Sequence, residues 1–308
     1  MIIKLEKGLF MSNDQELQSV LSKNPFSQEL IEKWRKDLKA FNFGEIEIKD
    51  LKFILEKDDK KLLDDKNLHF ELLPHPFLGT PKAPVWYLPL NPSYSEIDLY
   101  DNLGVCPICC ERLTDGQIAC IEGLKGWLDR GRNKLEAVMK RQEIFLNQLL
   151  FKEETFAFLE EDFNTLGECP ICLDNGGYRW WKKRLFGAKN TGADYLLGNN
   201  VRSGAEVGRK LFVLEPFPYH SKKFKPSYYE SSKYLEFWVE LVKWGIRNGK
   251  IFIIRSRNKK FQQLKSENNI TFDDHNMISL KGQNASLTRG NVEGSPETIE
   301  RVCSMLSS

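Results

Sequence analysis

Residues 85–92 read VWYLPLNP, a short apolar run that stops at an asparagine–proline pair. A run in which nearly every position is apolar is typical of a strand buried on both faces, as the strands of parallel sheets are. Three later runs share this character: LFVL at 211–214, IFII at 251–254 and MISL at 277–280. The four runs predict four strands of one buried sheet.

Helical patterns separate and follow the later strands. Apolar residues at three- and four-residue steps predict a helix from about Tyr228 to Arg247, and Gly249 marks its end. Shorter helices are expected at 259–267 and, with a serine–proline start, at 295–306. Strands that alternate with helices predict an α/β fold of three layers, in which helices cover both faces of a central four-stranded parallel sheet.

A long interruption of this alternation defines the predicted domain organisation. Residues 1–80 form an N-terminal helical region, residues 81–103 and 201–308 form the α/β core, and residues 104–200 form one large helical insertion.

Two segments before the first strand have distinct compositions. The stretch 50–65 is rich in lysine and aspartate and predicts a solvated helix. The stretch 69–84 contains four prolines. Because proline disrupts both helices and sheet ladders, we expect an extended connector there that crosses the surface.

Two identical Cys-Pro-Ile-Cys motifs lie in the insertion. One tight turn can present two thiols at this spacing to a tetrahedral metal. The expected ligands of one structural zinc ion are Cys106, Cys109, Cys169 and Cys172. Four thiolates leave no open position, so this metal would not take part in chemistry. An iron–sulfur cluster is the alternative because thiolates also bind iron, and buried thiols without metal are the third interpretation.

Composition narrows the class of protein and its compartment. Hydrophobic residues make up 41% of the chain and charged residues 29%, which excludes a disordered or fibrous protein. No segment predicts a signal peptide or a membrane-spanning helix. An odd number of cysteines, seven, argues against a disulfide framework. We expect a cytoplasmic protein without membrane contact, and no protein partner is implied.

Ligands of open parallel sheets bind beyond the carboxyl ends of the strands. The loops that leave the four predicted strands begin at Asn91, Glu215, Arg255 and Lys281. We therefore expect the functional site among these four loops.

Two of these loops resemble motifs of the uracil-DNA glycosylase superfamily. The segment LPLNPSYS at 88–95 is similar to the Gly-x-Asn-Pro-Gly motif of the mismatch-specific and single-strand-selective branches. The segment NASLT at 284–288 lies where the family has a His-Pro-Ser or Asn-Pro-Ser loop followed by Leu-Ser, and the four strands come in the matching order. Ser93 and Ala285 depart from the family's glycine and proline, and the insertion has no counterpart.

The resemblance implies hydrolysis of the N-glycosidic bond of a nucleotide that is flipped out of the stack. Asn91 would hold the attacking water, and Asn284 would donate a hydrogen bond to the departing base. Asp98 or Glu96, in the same loop as Asn91, would add base character. The other expected substrate contacts are stacking by Tyr94 or Phe217, a phosphate at Ser286 and Thr288, and polar contacts from Ser95, Glu215, Tyr219 and His220.

The expected base is an unusual one. In the family, the strand equivalent to 211–214 often supplies an asparagine that recognises uracil, whereas here that strand is followed by Glu215. This difference favours a modified or damaged base over plain uracil.

DNA is the expected partner. Because the net charge is only +2, phosphate contacts must come from local basic clusters. Lys222, Lys223, Arg255 and Arg257 lie in the loops predicted to surround the site. The sequence thus predicts a DNA glycosylase that acts in repair or in defence against foreign phage DNA. The alternatives are a non-catalytic, zinc-containing nucleic-acid-binding module and a metal-dependent nuclease that uses Asp98 and Glu215.

Overall fold

The computed structural model describes residues 12–55, 62–90, 209–223, 233–282 and 287–307, with shorter pieces at 139, 142–143, 145–151, 196, 225 and 227–228. These residues form helices and a mixed sheet, so the α/β prediction is confirmed. The strands are β1 (Leu68–His69), β2 (Phe77–Leu78), β3 (Val85–Tyr87), β4 (Leu211–Leu214), β5 (His220–Ser221), β6 (Ile251–Ile254), β7 (Met277–Leu280) and β8 (Val292–Glu293). The helices are α1 (Asn13–Leu21), α2 (Gln28–Asn42), α3 (Lys233–Arg247), α4 (Lys259–Glu267) and α5 (Pro296–Ser307).

Six of these strands form one sheet in the order β2-β4-β3-β6-β7-β8. β3 pairs in parallel with β4 on one side and with β6 on the other, and β6 pairs in parallel with β7. The outer strands β2 and β8 are antiparallel to their neighbours. The four predicted strands are parallel to one another, but the sheet of the described residues is a mixed sheet of six strands and not a parallel sheet of four. The two short outer strands pair with backbone groups of β4 and β7 that a four-stranded sheet would leave at its edges.

β3 lies in the interior of this sheet and ends earlier than predicted. Its paired residues are Val85–Tyr87, and Leu88 adds one further hydrogen bond, from its amide to the Ile253 carbonyl at 3.0 Å. Pro89 then removes the next ladder donor, because proline has no backbone N–H. Trp86 fixes the position of β3, since its ring packs against rings on β4, β6 and α3: Phe212, Phe252 and Trp244.

The helices of the α/β core lie where the sequence predicts them. α3 ends at Arg247, and Gly249 follows with a φ of 66°, the left-handed conformation that glycine adopts without strain. The side chain of Asn258 caps α4 by accepting hydrogen bonds from the Lys260 and Phe261 amides. Ser295 Oγ accepts a hydrogen bond from the Thr298 amide at 3.1 Å, which caps the first turn of α5.

The N-terminal helices belong to the same hydrophobic core as the sheet. Buried residues form one cluster from Leu17 in α1 to Leu306 in α5. α2 also contacts the described part of the insertion. Its Arg35 donates two hydrogen bonds to Glu143, at 2.7 and 2.6 Å, and Asn42 pairs with Gln142 in the interior. Residues 145–149, which the sequence predicts to be helical, are helical.

Two predictions for the segments that precede β3 are wrong. Residues 51–55 have no regular secondary structure, where a solvated helix was expected, and alternate residues of this stretch are buried: Leu51, Phe53 and Leu55. The proline-rich stretch 69–84 contains β2 and is buried at 72–79, not spread over the surface. Burial is possible because prolines have no N–H to satisfy, and the remaining backbone groups find partners, such as the His75 amide on the Pro218 carbonyl at 2.9 Å.

Candidate functional site

Strands β3, β4, β6 and β7 run in the same direction, so the residues that follow them lie along one edge of the sheet. After β3 the described chain continues through 88–90 and stops just before Asn91. The other three strands are followed by Glu215, Arg255 and Lys281. The structure thus places Glu215, Arg255 and Lys281 at the carboxyl edge, together with residues 88–90, which lead to Asn91.

Arg255 connects three segments at this edge. Its Nη2 donates a hydrogen bond to the hydroxyl of Tyr87 at 2.7 Å, and its Nη1 donates one to the Gly282 carbonyl at 3.3 Å. The guanidinium carbon also lies over the Tyr87 ring, 5.9 Å from the centroid. The sequence predicts a contact between Arg255 and DNA phosphate. In the structure, both terminal nitrogens of its guanidinium donate hydrogen bonds to the protein itself.

Glu215, Phe217 and Tyr219 follow β4 and are all buried. The Glu215 amide donates to the Pro76 carbonyl at 2.7 Å, which holds the end of β4 against the proline-rich stretch. The ring of Phe217 stacks on Tyr228 at 5.1 Å and packs edge-on against Tyr219 at 5.3 Å. Phe217 is 0% exposed, so it has no exposed ring face on which a flipped base can stack.

Three of the four histidines of the chain are neighbours in the structure. His69 and His220 are direct partners in the antiparallel β1–β5 pair, and the His75 ring packs edge-on against the His220 ring at 4.9 Å. His69 Nδ1 lies 2.7 Å from the Glu71 carboxylate. Burial raises the pKa of Glu71, but the hydrogen bonds from His69 and from the backbone amide of Glu71, together with the Coulombic attraction of His69 and Lys52, hold this pKa below its usual range. Only His220 was predicted as a substrate contact. The structure gives it two histidine neighbours.

The predicted DNA-binding residues Lys222 and Lys223 are exposed. Hydrogen bonds to Asn67 and Asp65 hold the loop that contains them. The Lys222 amide donates to the Asn67 carbonyl at 2.9 Å. One carboxylate oxygen of Asp65 accepts hydrogen bonds from Lys225 Nζ at 2.5 Å and from the Tyr228 hydroxyl at 2.8 Å. These contacts fix the backbone of the loop, in which both predicted cations are exposed.

The Asp65 carboxylate is ionised in this arrangement. Burial raises its pKa, but hydrogen bonds from Lys225, the Asn67 amide and Tyr228 outweigh burial and hold the pKa well below its usual range. The pKa of Tyr228 is raised in turn, first by burial and then by its hydrogen bond to the Asp65 carboxylate. Around neutral pH, Asp65 is therefore ionised and Tyr228 is neutral. Their hydrogen bond does not depend on pH in that range.

Two further predicted site residues, Arg257 and Thr288, lie in the segments that follow β6 and β7. The Arg257 side chain is 64% exposed and pairs with Glu293 at 2.5 Å. Such an exposed pair is weak and is screened by salt, which leaves Arg257 accessible to a phosphate. Thr288 is buried at the start of the short 3₁₀ turn 289–291, and its carbonyl accepts a hydrogen bond from the Asn291 amide at 3.0 Å.

The remaining candidates lie outside the described residues: Asn91, Glu96, Asp98, Asn284, Tyr94, Ser95, Ser286, Cys106, Cys109, Cys169 and Cys172. Their predicted roles stay predictions, and so does the zinc site. Within the described part of the chain, no group of three or more His, Cys, Asp or Glu side chains could hold a metal ion.

The sequence analysis missed Tyr87, Asp65 and the histidine group. The sequence could have indicated the role of Tyr87, because a hydroxyl in a strand buried on both faces needs a hydrogen-bond partner. Asp65 and Tyr228 had none, since a contact between residues so far apart in the chain leaves no local pattern.

Comparisons with family models, with curated proteins and with solved structures find no match for this chain. Among the described helices, none is long and apolar enough to cross a membrane.

Proposed function

We propose that this protein is a DNA glycosylase, which hydrolyses the N-glycosidic bond of a modified or damaged base that is flipped out of DNA. One observation carries the proposal. The strand that leads to Asn91 lies between two parallel neighbours and ends at the carboxyl edge, where ligands of such sheets bind. The resemblance of the Asn91 and Asn284 loops to uracil-DNA glycosylase motifs supplies the reaction.

The proposed chemistry needs a positioned water and a stabilised leaving group. The sugar becomes oxocarbenium-like as the bond breaks, and the base departs with negative charge. Asn91 orients the water towards C1′, and Asp98 accepts its proton. Asn284 donates a hydrogen bond to the departing base. An amide is a poor base, so the contribution of Asn91 is positioning.

The described cations support DNA as the partner. Lys222, Lys223, Arg257 and Lys281 are exposed at the ends of β5, β6 and β7. Because the chain as a whole is nearly neutral, exposed cations in these segments would have to supply the local positive charge that a phosphate backbone needs.

Glu215 supports an unusual base. It is buried at the end of β4, beside the strand that leads to Asn91. In the family that the motifs resemble, the equivalent strand often supplies an asparagine that recognises uracil, so a glutamate here favours a base other than plain uracil. The proposal includes a cytoplasmic role in repair or in phage defence, with a structural zinc ion in the insertion.

The test is base excision without added divalent cations. The purified protein is incubated with duplex and single-stranded DNA that carries a panel of modified bases, and abasic sites are then cleaved with alkali. We expect excision of at least one base by the wild type, and none by Asn91→Ala at equal DNA affinity. Direct phosphodiester cleavage that requires Mg²⁺ would indicate the nuclease. Tight binding that leaves every substrate intact would indicate a binding module.

A further inference from the structure

We propose that Arg255 is a positioning residue of the glycosylase site, which acts by joining the two segments that carry Asn91 and Asn284. This inference rests on the proposed function and deepens it. It replaces the expectation that Arg255 binds DNA phosphate. The contact that carries it is the hydrogen bond from Arg255 Nη2 to the Tyr87 hydroxyl at 2.7 Å.

Each end of the contact is anchored. Tyr87 is the last residue of β3 and is only 4% exposed, so its ring is held by the core. Arg255 follows the last residue of β6, the strand that pairs with β3. The second donor, Nη1, reaches the Gly282 carbonyl just after β7. One guanidinium therefore spans the ends of three adjacent strands.

The geometry suits arginine and not lysine. A guanidinium is planar and offers several donors in a fixed fork, so it can bond two acceptors on different segments at once. Its face also lies over the Tyr87 ring, an attractive contact between a cation and an aromatic ring. A lysine ammonium keeps the charge, but its donors sit on a single nitrogen and it cannot bridge both acceptors in the same way.

The two tethered segments lead directly to the proposed catalytic groups. Asn91 follows Tyr87 along the first segment, and Asn284 follows Gly282 along the other. In the proposed reaction, one of these side chains orients the water and the other receives the leaving base. Rates of such reactions depend on sub-ångström placement, and a shift of about 1 Å can slow a reaction roughly 100-fold. By joining the two segments, Arg255 would set the distance between the Asn91 and Asn284 side chains.

The experiment separates this role from a phosphate contact. Single-turnover excision at saturating enzyme is measured for Tyr87→Phe, Arg255→Lys and the double variant, together with DNA affinity at several salt concentrations. We expect each single variant to lower the rate on the order of 10- to 100-fold. The double variant should be no slower than the slower single one, because both remove the same contact. DNA affinity and its salt dependence should match the wild type.

Tyr234→Phe is the matched control. Tyr234 is a buried tyrosine in α3 whose hydroxyl is also hydrogen-bonded, as the donor to the Pro76 carbonyl at 3.3 Å. The Tyr234→Phe variant should lose about as much thermal stability as Tyr87→Phe, but it should keep the wild-type excision rate.

Three results would overturn the inference. The first is a wild-type rate in Tyr87→Phe. The second combines two variants: Arg255→Lys keeps the rate and the salt dependence of the wild type, and Arg255→Gln lowers the slope of log affinity against log salt concentration by about one. That combination is expected if Arg255 contacts a phosphate. The third is a wild type that excises no base, which removes the proposed function itself. The first two leave the glycosylase assignment in place.

Discussion

Gly245 of α3 lies directly against Trp86 of β3. A Cβ atom at position 245 would sit 3.0 Å from Trp86 Cζ3 and 3.1 Å from Phe252 Cζ. Trp86 and Phe252 are themselves buried and pack against each other, so a shift of either ring disturbs the core. The helix and the strand that leads to Asn91 therefore approach as closely as a glycine allows.

We predict that Gly245→Ala destabilises the protein. Alanine favours a helix over glycine by about 1 kcal/mol, but overpacking of a close-packed core costs about 1–3 kcal/mol, so the net effect is a loss. Urea denaturation measures it as a lower midpoint. Gly290→Ala is the control, since a Cβ there meets nothing within 4 Å. Equal midpoints for the two variants would contradict the close contact.

A second prediction concerns Asp65 and pH. Its folded pKa lies below the unfolded value of about 3.9, so its contribution to stability is complete above that value and is lost as the pH falls towards the folded pKa. Asp65→Asn should cost on the order of 1–3 kcal/mol at neutral pH. The difference from wild type should be constant down to about pH 5 and shrink below about pH 4. Thermal denaturation across this range measures it.

The control for Asp65 is an exposed ion pair. Asp37 pairs with Lys33 at 2.8 Å on the surface of α2. Because such pairs contribute only about 0–1 kcal/mol, Asp37→Asn should change little at any pH. If the two variants behave alike, the Asp65 cluster does not fasten the Lys222–Lys223 loop as described.

A third prediction concerns the metal. The purified protein should contain about one zinc ion per chain, and serine at Cys106, Cys109, Cys169 or Cys172 should release it and destabilise the insertion, because metal-binding energy is folding energy there. Elemental analysis and protease sensitivity measure the two effects. Cys303→Ser, a change at a buried cysteine in α5, should keep the zinc. A wild type with neither zinc nor iron would contradict the metal site.

A fourth prediction separates the two asparagines. Asn91→Ala should slow single-turnover excision by about 2–4 kcal/mol, roughly 30- to 1,000-fold, because it removes the orientation of the water. Asn284→Ala should slow it most for bases that leave poorly, because it acts on the leaving group. Excision rates across bases of different leaving-group pKa distinguish them. The assignment is wrong if both variants show the same dependence on the leaving group.

Local patterns in the sequence determined β4, β6 and β7 and the helices α3, α4 and α5. The ends of these helices are set by caps and glycines within a few residues, such as Asn258, Ser295 and Gly249, so they can be predicted without knowledge of the fold. The placement of the four loops at one edge also followed from the sequence, since parallel strands end together.

Tertiary structure alone decided the features that join distant segments. The extra strands β2 and β8, the burial of the proline-rich stretch, and the pairing of Asp65 with Lys225 depend on residues that approach only when the chain is folded. The same reason explains why the sequence did not predict the contacts of Arg255. Its sequence neighbours indicate a phosphate contact, whereas its role is set by the Tyr87 hydroxyl, which is distant in the chain and 2.7 Å away in space.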